Sequence, residues 1–422
     1  MWATLQPPIV CATNTSSSRD GRTKVARSTS IFELAQNPPS SRTTDGAAFD
    51  RIFDIRAEVA TCSAGLALSE KYGVARDNEQ LVVSVSNRFS LEQTWFNEER
   101  TNKPQSFKRT DGLLDPTNGG LTCDFCNWKE FTAVDDFGRA ERPHAVTGSN
   151  LFKYCAPSHG IVLFKNHHPL NFTQAEVADL LSVSQEWISK AHGLHGNAHH
   201  PLFVWNCLAR AGASQFHGHA QVMLSRVPFP ADERMKQVTQ LYEAAHPGQN
   251  YMIDLVRAHQ CTGVLLCCGD AFDRCFSYPS LTPWKDMEVV ILGSSIESPS
   301  FQKLLYTVLR MLVDDFGAAS FNVGIQGIQP QNAENGDVSK PVNWWGENIS
   351  RVLARVVSRG KLTSMASDFG GLEVLGGASI GHTDIYRIAR VLSDRCGEDL
   401  INFDDSDLAS WLSNKEPASK KC

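Results

Sequence analysis

The chain has 422 residues, 42% of them hydrophobic and 20% charged, with a formal net charge of −6. That length suits one large or two ordinary globular domains. There is no basic stripe of the kind a nucleic-acid binder carries and no apolar run near the length of a membrane span, so nucleic acid and membrane are not expected partners, and anionic substrates must be met by local donors.

Residues 1–48 are Ser/Thr/Arg-biased, include Pro38-Pro39-Ser40-Ser41, and read as a disordered tail with little to bury. The N-terminus lacks the basic start and apolar core of a secretory signal, while its Ser/Thr richness leaves an organellar transit peptide open. Twelve cysteines are scattered without framework spacing, which points to a reducing, cytoplasmic setting with mostly free thiols.

A short helix is expected from Ala47 to about residue 57, and a strand within residues 81–96. A loop carrying Arg100, Lys103 and the C-x-x-C of Cys123 and Cys126 follows. Residues 146–154 and 160–164 read as strands. Residues 173–192 read as a helix opened by a Thr173/Glu176 capping box, with Val177, Leu180, Leu181, Trp187 and Ile188 on its apolar face. Residues 202–206 and 218–224 complete a strand–strand–helix–strand–strand unit. After a helical stretch at 231–260 the same order recurs: strands at 276–278 and 287–292, an amphipathic helix at 300–316, and strands at 321–325 and 351–358. Residues 330–341 read as a surface loop, and the Gly-rich segment 369–380 lacks the Lys-Ser/Thr ending of a phosphate loop. The chain thus divides into a tail (1–48), a catalytic lobe (49–230) and a second lobe (231–415).

The chemistry is concentrated in residues 206–221, Asn-Cys-Leu-Ala-Arg-Ala-Gly-Ala-Ser-Gln-Phe-His-Gly-His-Ala-Gln. A strand sends alternate residues to one face, so His217, His219 and Gln221 would share a site. The small-residue run before them, with Gly212 and Ser214, allows backbone N–H groups to approach a phosphate. The C-x-x-C alone admits a zinc knuckle, a redox pair or two unrelated thiols. No thioredoxin-like unit surrounds it. A structural zinc site needs two further ligands, for which His168 and His217 are candidates, with His167 as the alternative to its neighbour.

The pattern Asn206…Gly212-x-Ser214-x-x-His217-x-His219-x-Gln221 resembles the histidine-triad superfamily, specifically its galactose-1-phosphate uridylyltransferase branch. It is also similar to diadenosine tetraphosphate phosphorylases, although the cysteine pair leans toward the sugar-nucleotide side. The resemblance implies an α/β (α+β) fold: a duplicated histidine-triad-like unit of mostly antiparallel sheets flanked by helices, with one active copy. It implies His219 as nucleophile, Gln221 as donor to the transferred phosphate, and a structural zinc held by Cys123, Cys126, His168 and His217. His168 is preferred there from its distance to the following helix. Arg100 and Lys103 resemble a phosphate-contacting R-x-x-R-P segment, with lysine in place of the second arginine. Asn150 resembles an asparagine near the nucleotide, and Glu373 a glutamate facing hexose hydroxyls.

The activity so implied is nucleotidyl transfer through a covalent nucleotidyl-histidine. The partners would be a nucleotide sugar and either a sugar 1-phosphate or inorganic phosphate, and a homodimer is compatible with the resemblance. A dinucleoside polyphosphate phosphorylase is the enzymatic alternative, and an idle nucleotide-binding scaffold the alternative of another class. A hydrolase fits less well, because histidine-triad hydrolases carry a third histidine where Gln221 stands.

Overall fold

The computed structural model describes residues 28–73, 75–101, 114–270, 273–330, 344, 351–360, 368–397 and 411. Strands β1 (Phe53–Ser63), β2 (Asp77–Asn87) and β3 (Gln93–Asn97) come first. The first repeat supplies β4 (Ala145–Ser149), β5 (Pro157–Phe164), β6 (His200–Cys207) and β7 (His219–Ser225). The short β8 (Leu266–Cys268) leads into the second repeat, β9 (Cys275–Pro279), β10 (Val289–Gly293), β11 (Phe321–Gln326) and β12 (Val352–Ser358). Last comes β13 (Ala378–Gly381).

Nine strands form one antiparallel sheet in the order β4-β5-β7-β6-β11-β12-β10-β9-β8. Each repeat has the same internal order, and the two meet third strand to third strand through β6 and β11, with Asn206 opposite Asn322. The expected α+β duplication is therefore present, fused into a single sheet. A smaller sheet, β1-β2-β3-β13, lies beside it, with β13 parallel to β3.

The central strands show why one face is core and the other is open. Phe203, Trp205, Phe321, Val323 and Ile325 are buried against the helices Gln174–Leu194 and Pro299–Arg310. Their alternates Leu202, Val204, Asn206, Asn322, Gly324 and Gln326 are only half-buried on the opposite face, as a two-residue period requires. Thr173 and Glu176 make the capping box read from the sequence.

Three elements depart from expectation. The stretch at 231–260 is two helices, Pro230–Ala245 and Tyr251–Cys261, broken by His246-Pro247-Gly248-Gln249-Asn250, where Gly248 has φ 79°. The helix near Ala47 is Thr44–Ile52 and passes directly into β1. Residues 28–48 are not tail: Ile31–Gln36 is a helix capped by Ser30, and Ile31, Phe32 and Leu34 are buried in a second core with Phe49, Val83, Phe96 and Tyr251. The low-complexity composition around Pro38 and Pro39 hid a three-residue apolar anchor. Residues 1–27 lie outside the described residues.

Truncating that anchor is a direct check. Ile31→Ala should cost about 2–5 kcal/mol, read as a lower urea midpoint at unchanged slope; an unmoved midpoint would return residues 28–48 to the tail.

Candidate active site

His217 lies two residues before the start of β7 and is 1% exposed. Its Nε2–H donates to the Phe164 carbonyl at 2.7 Å, which leaves Nδ1 as a lone-pair donor. That Nδ1 lies 3.4 Å from Cys123 Sγ, 3.5 Å from Cys126 Sγ and 3.2 Å from His167 Nδ1. Cys126 Sγ is 3.3 Å from His167 Nδ1, and all four ligand atoms lie within 4.8 Å of one another. Tetrahedral zinc with bonds of about 2.0–2.3 Å has ligand–ligand edges of roughly 3.3–3.8 Å, so the Cys2His2 donor set fits a four-coordinate ion. The outward nitrogens are also held: His167 Nε2 meets Asp115 Oδ2 at 3.0 Å and Thr117 Oγ1 at 3.1 Å, the second set of contacts that orients metal-binding imidazoles. Burial and the adjacent Cys123 thiol push Cys126 up to about 11; a bound cation reverses that effect by favouring thiolate.

His168 does not join this cluster. The Nδ1 of His168 instead accepts from the Leu170 N–H at 3.2 Å in the turn before the helix Gln174–Leu194. His167 takes the expected place of His168. Counting residues to the helix start gave the wrong member of the pair; the cue lies in how the turn uses His168.

The nucleophile candidate, His219, is 6% exposed on β7. Its Nδ1–H donates to the carbonyl of His217 at 2.8 Å, so the free lone pair is on Nε2. Burial holds its pKa below the ordinary imidazole value, which favours the neutral ring. Phe125, between the two cysteines, sets its ring edge against both His217 and His219, at 5.8 Å and 5.2 Å between centroids. The cysteine loop thereby walls one side of His219.

Gln221 stands on the same face, two residues on. Its Oε1 lies 2.5 Å from the Tyr154 hydroxyl and 2.9 Å from His159 Nε2. Neither of those residues was singled out from the sequence. Asn150 ends β4 as a turn residue, its Oδ1 accepting from the Phe152 N–H at 2.9 Å, and its Nδ2 lies 3.2 Å from His159 Nε2.

The loop before the H-x-H is a 3-10 turn, Ala209–Ala211, closed by Gly212 at φ 94°. This left-handed conformation strains any residue with a Cβ. The amides of Ala211, Gly212 and Ala213 are bonded to the Leu208 and Ala209 carbonyls, so those three are not the phosphate donors expected of this run. Ser214 is exposed beyond them. Asn206 is fixed from the second repeat: Asn322 Nδ2 donates to Asn206 Oδ1 at 2.7 Å and to the Ala211 carbonyl at 2.9 Å, while Arg359 donates to Asn322 Oδ1 at 2.7 Å.

Asn322 also lines a cavity of about 490 Å³ on the second-repeat half of the same sheet face, with Arg355, Trp284, Lys285, Phe369 and Glu373. Glu373 sits in its wall with Lys285 Nζ 3.5 Å away. Arg100 is exposed on the turn Glu98–Thr101, where it and Glu373 both act on His382 electrostatically. Arg100 and Glu373 thus belong to one neighbourhood, and His219, Gln221, Asn206 and Asn150 to another. Lys103 lies outside the described residues.

No family model matches the sequence, and no curated protein is similar to it. Solved structures are similar in fold. An ADP-glucose phosphorylase from Arabidopsis thaliana with bound ADP-glucose superimposes with a TM-score of 0.51 at 16% identity, covering 71% of this chain and 94% of its own. A galT-like protein from Arabidopsis thaliana gives a TM-score of 0.50 at 16% identity over 71% and 94% of the two chains. The chain has the galT-like fold. Within that galT-like frame, the H-x-H strand is the fourth strand of the first repeat, next to the strand that joins the two halves.

Metal content separates the two histidines. His167→Ala and Cys126→Ser should lose bound metal, whereas His168→Ala should keep about one ion per chain by elemental analysis; metal loss in His168→Ala alone would reverse the assignment.

Proposed function

We propose that the chain is a nucleotidyltransferase or phosphorylase that carries a nucleoside monophosphate on Nε2 of His219. The donor would be a nucleoside-diphosphate sugar, and the acceptor inorganic phosphate or a sugar 1-phosphate. The observation that carries this reading is the bond from His219 Nδ1–H to the His217 carbonyl at 2.8 Å, in a site whose burial disfavours imidazolium. What sets His219 apart from the core His259, whose Nδ1 also bonds a main-chain carbonyl, is its place on β7 two residues from Gln221 and against Phe125 of the cysteine loop. The ADP-glucose bound in the similarly folded phosphorylase supports a nucleotide sugar as donor.

The chemistry follows from the neutral ring. Nε2 attacks the α-phosphorus, the bond from that phosphorus to the bridging oxygen breaks, and sugar 1-phosphate leaves. The phosphoramidate keeps high transfer potential. An acceptor phosphate oxygen then attacks the same phosphorus, the P–N bond breaks, and His219 is restored. The acceptor is already anionic, so the protein has mainly to orient groups and to stabilise charge on the equatorial oxygens. We assign that task to the side-chain donors Gln221 and Ser214, with Asn206, held by Asn322, as a third.

We assign the metal site to structural zinc. Four protein ligands leave no open position, so Cys123, Cys126, His167 and His217 would hold the ion. The ion would tie the Phe125 loop to the H-x-H strand and favour thiolate at both cysteines.

Incubation with α-labelled UDP-, ADP- or GDP-glucose, without acceptor, should leave acid-labile, base-stable label on the wild-type chain and none on His219→Ala. Label from diadenosine tetraphosphate alone would move the assignment to a dinucleoside polyphosphate phosphorylase. No label from any donor would overturn the covalent reading.

A further inference from the structure

We infer that His159, with Tyr154, is a positioning residue that fixes the orientation of the Gln221 side-chain amide, turning its N–H groups toward the phosphorus site beside His219. This rests on the nucleotidyl-transfer reading. His159 is 0% exposed on β5. Ile161 pairs with Gln221 across β5 and β7, so His159, two residues earlier, is the diagonal neighbour of Gln221 on the same face.

A glutamine amide has two orientations of nearly equal shape, and only one offers a phosphate donors. Two arrangements are self-consistent around His159. In the first, Nε2 carries the proton and donates to Gln221 Oε1 at 2.9 Å, Tyr154 donates its hydroxyl proton to the same oxygen at 2.5 Å, and the Gln221 N–H groups face away from both. In the second, Nδ1 carries the proton, Nε2 accepts from Asn150 Nδ2 at 3.2 Å and from a reversed Gln221 amide, and the Gln221 carbonyl faces the site.

The backbone decides between them. The Tyr154 N–H points at His159 Nδ1 from 3.4 Å. In the second arrangement it would be held against another N–H at that distance; in the first it finds an acceptor. Asn150, whose Oδ1 is held by the Phe152 N–H, turns its Nδ2 toward Nε2 and by itself fits the second arrangement, but at 3.2 Å it is the more distant partner of that nitrogen, with Gln221 Oε1 at 2.9 Å. The charged groups nearby contest neither ring nitrogen. Lys153 Nζ takes the His159 carbonyl at 2.9 Å rather than the ring, and Asp135 is occupied by Ser149, Lys153 and Trp187. Burial, the largest influence, and Lys153 both favour the neutral imidazole.

The test has two parts. Imidazole ¹⁵N correlation spectra of the full-length, metal-containing protein should show His159 as the neutral Nε2–H tautomer; an Nδ1–H tautomer would overturn the proposal whatever the enzyme's reaction. Single-turnover loading of His219 from the α-labelled nucleotide sugar supplies the second part. His159→Phe should slow loading by about tenfold to a hundredfold, no more than Gln221→Ala does, with donor affinity within about threefold of wild type. His159→Gln, which retains an N–H donor, should recover most of the rate. In the Gln221→Ala background, His159→Phe should have no further effect. A full, multiplicative loss in that background, or a His159→Phe chain as fast as wild type, would overturn the proposal. Absence of label on the wild-type chain would instead count against the transfer reading, with the tautomer still deciding the role of His159.

Discussion

The site depends on how one residue divides its atoms. His217 gives its Nε2–H to the Phe164 carbonyl, offers Nδ1 to the Cys123, Cys126 and His167 cluster, and lends its own carbonyl to Nδ1–H of His219. Each bond forces the next. Without the Phe164 carbonyl the wrong nitrogen of His217 would carry the lone pair, and without the His217 carbonyl His219 would not be committed to one tautomer. The Cys2His2 cluster and His219 are therefore not two features that merely share a strand. One is held by the side chain, and the other by the main chain, of the same residue.

The second repeat lacks the imidazoles but has the same scaffold. A single row of cross-strand neighbours runs Gln221, Val204, Gly324, Arg355 across β7, β6, β11 and β12, about three strand spacings or roughly 14 Å. At its far end Arg355 is held by Glu92 at 2.9 Å and Glu288 at 2.8 Å, an ion-paired network where the first repeat has His219 and Gln221. In the neighbouring row Asn322 reaches back across the junction and fixes Asn206 and the Ala211 carbonyl. The copy without histidines thus acts on the site by anchoring the loop that leads into the H-x-H.

Periodicity and spacing in the sequence were enough for most of this. The duplication was legible because the strand–strand–helix–strand–strand order repeats, and the alternation of β6, β7 and β11 told which residues share a face. The Cys2His2 cluster was legible as a C-x-x-C plus two histidines, but not the choice of His167 over His168, which depends on a turn that consumes one ring nitrogen. His159 and Asn322 were invisible for a different reason. Each acts through a partner about 60 to 120 positions away in the chain, namely Gln221 and Asn206, and a lone histidine or asparagine on a strand carries no local signature. The buried anchor at Ile31 was masked by the polar segment around it, where composition averaged over the N-terminal stretch outweighed three apolar residues.

The central claim is that a neutral His219, held by the His217 carbonyl, reacts through Nε2. The most direct measurement is ¹⁵N–³¹P coupling in the trapped nucleotidyl adduct of histidine-labelled protein. The account requires phosphorus bonded to Nε2 of His219. Phosphorus on Nδ1, or on any other residue, would contradict it.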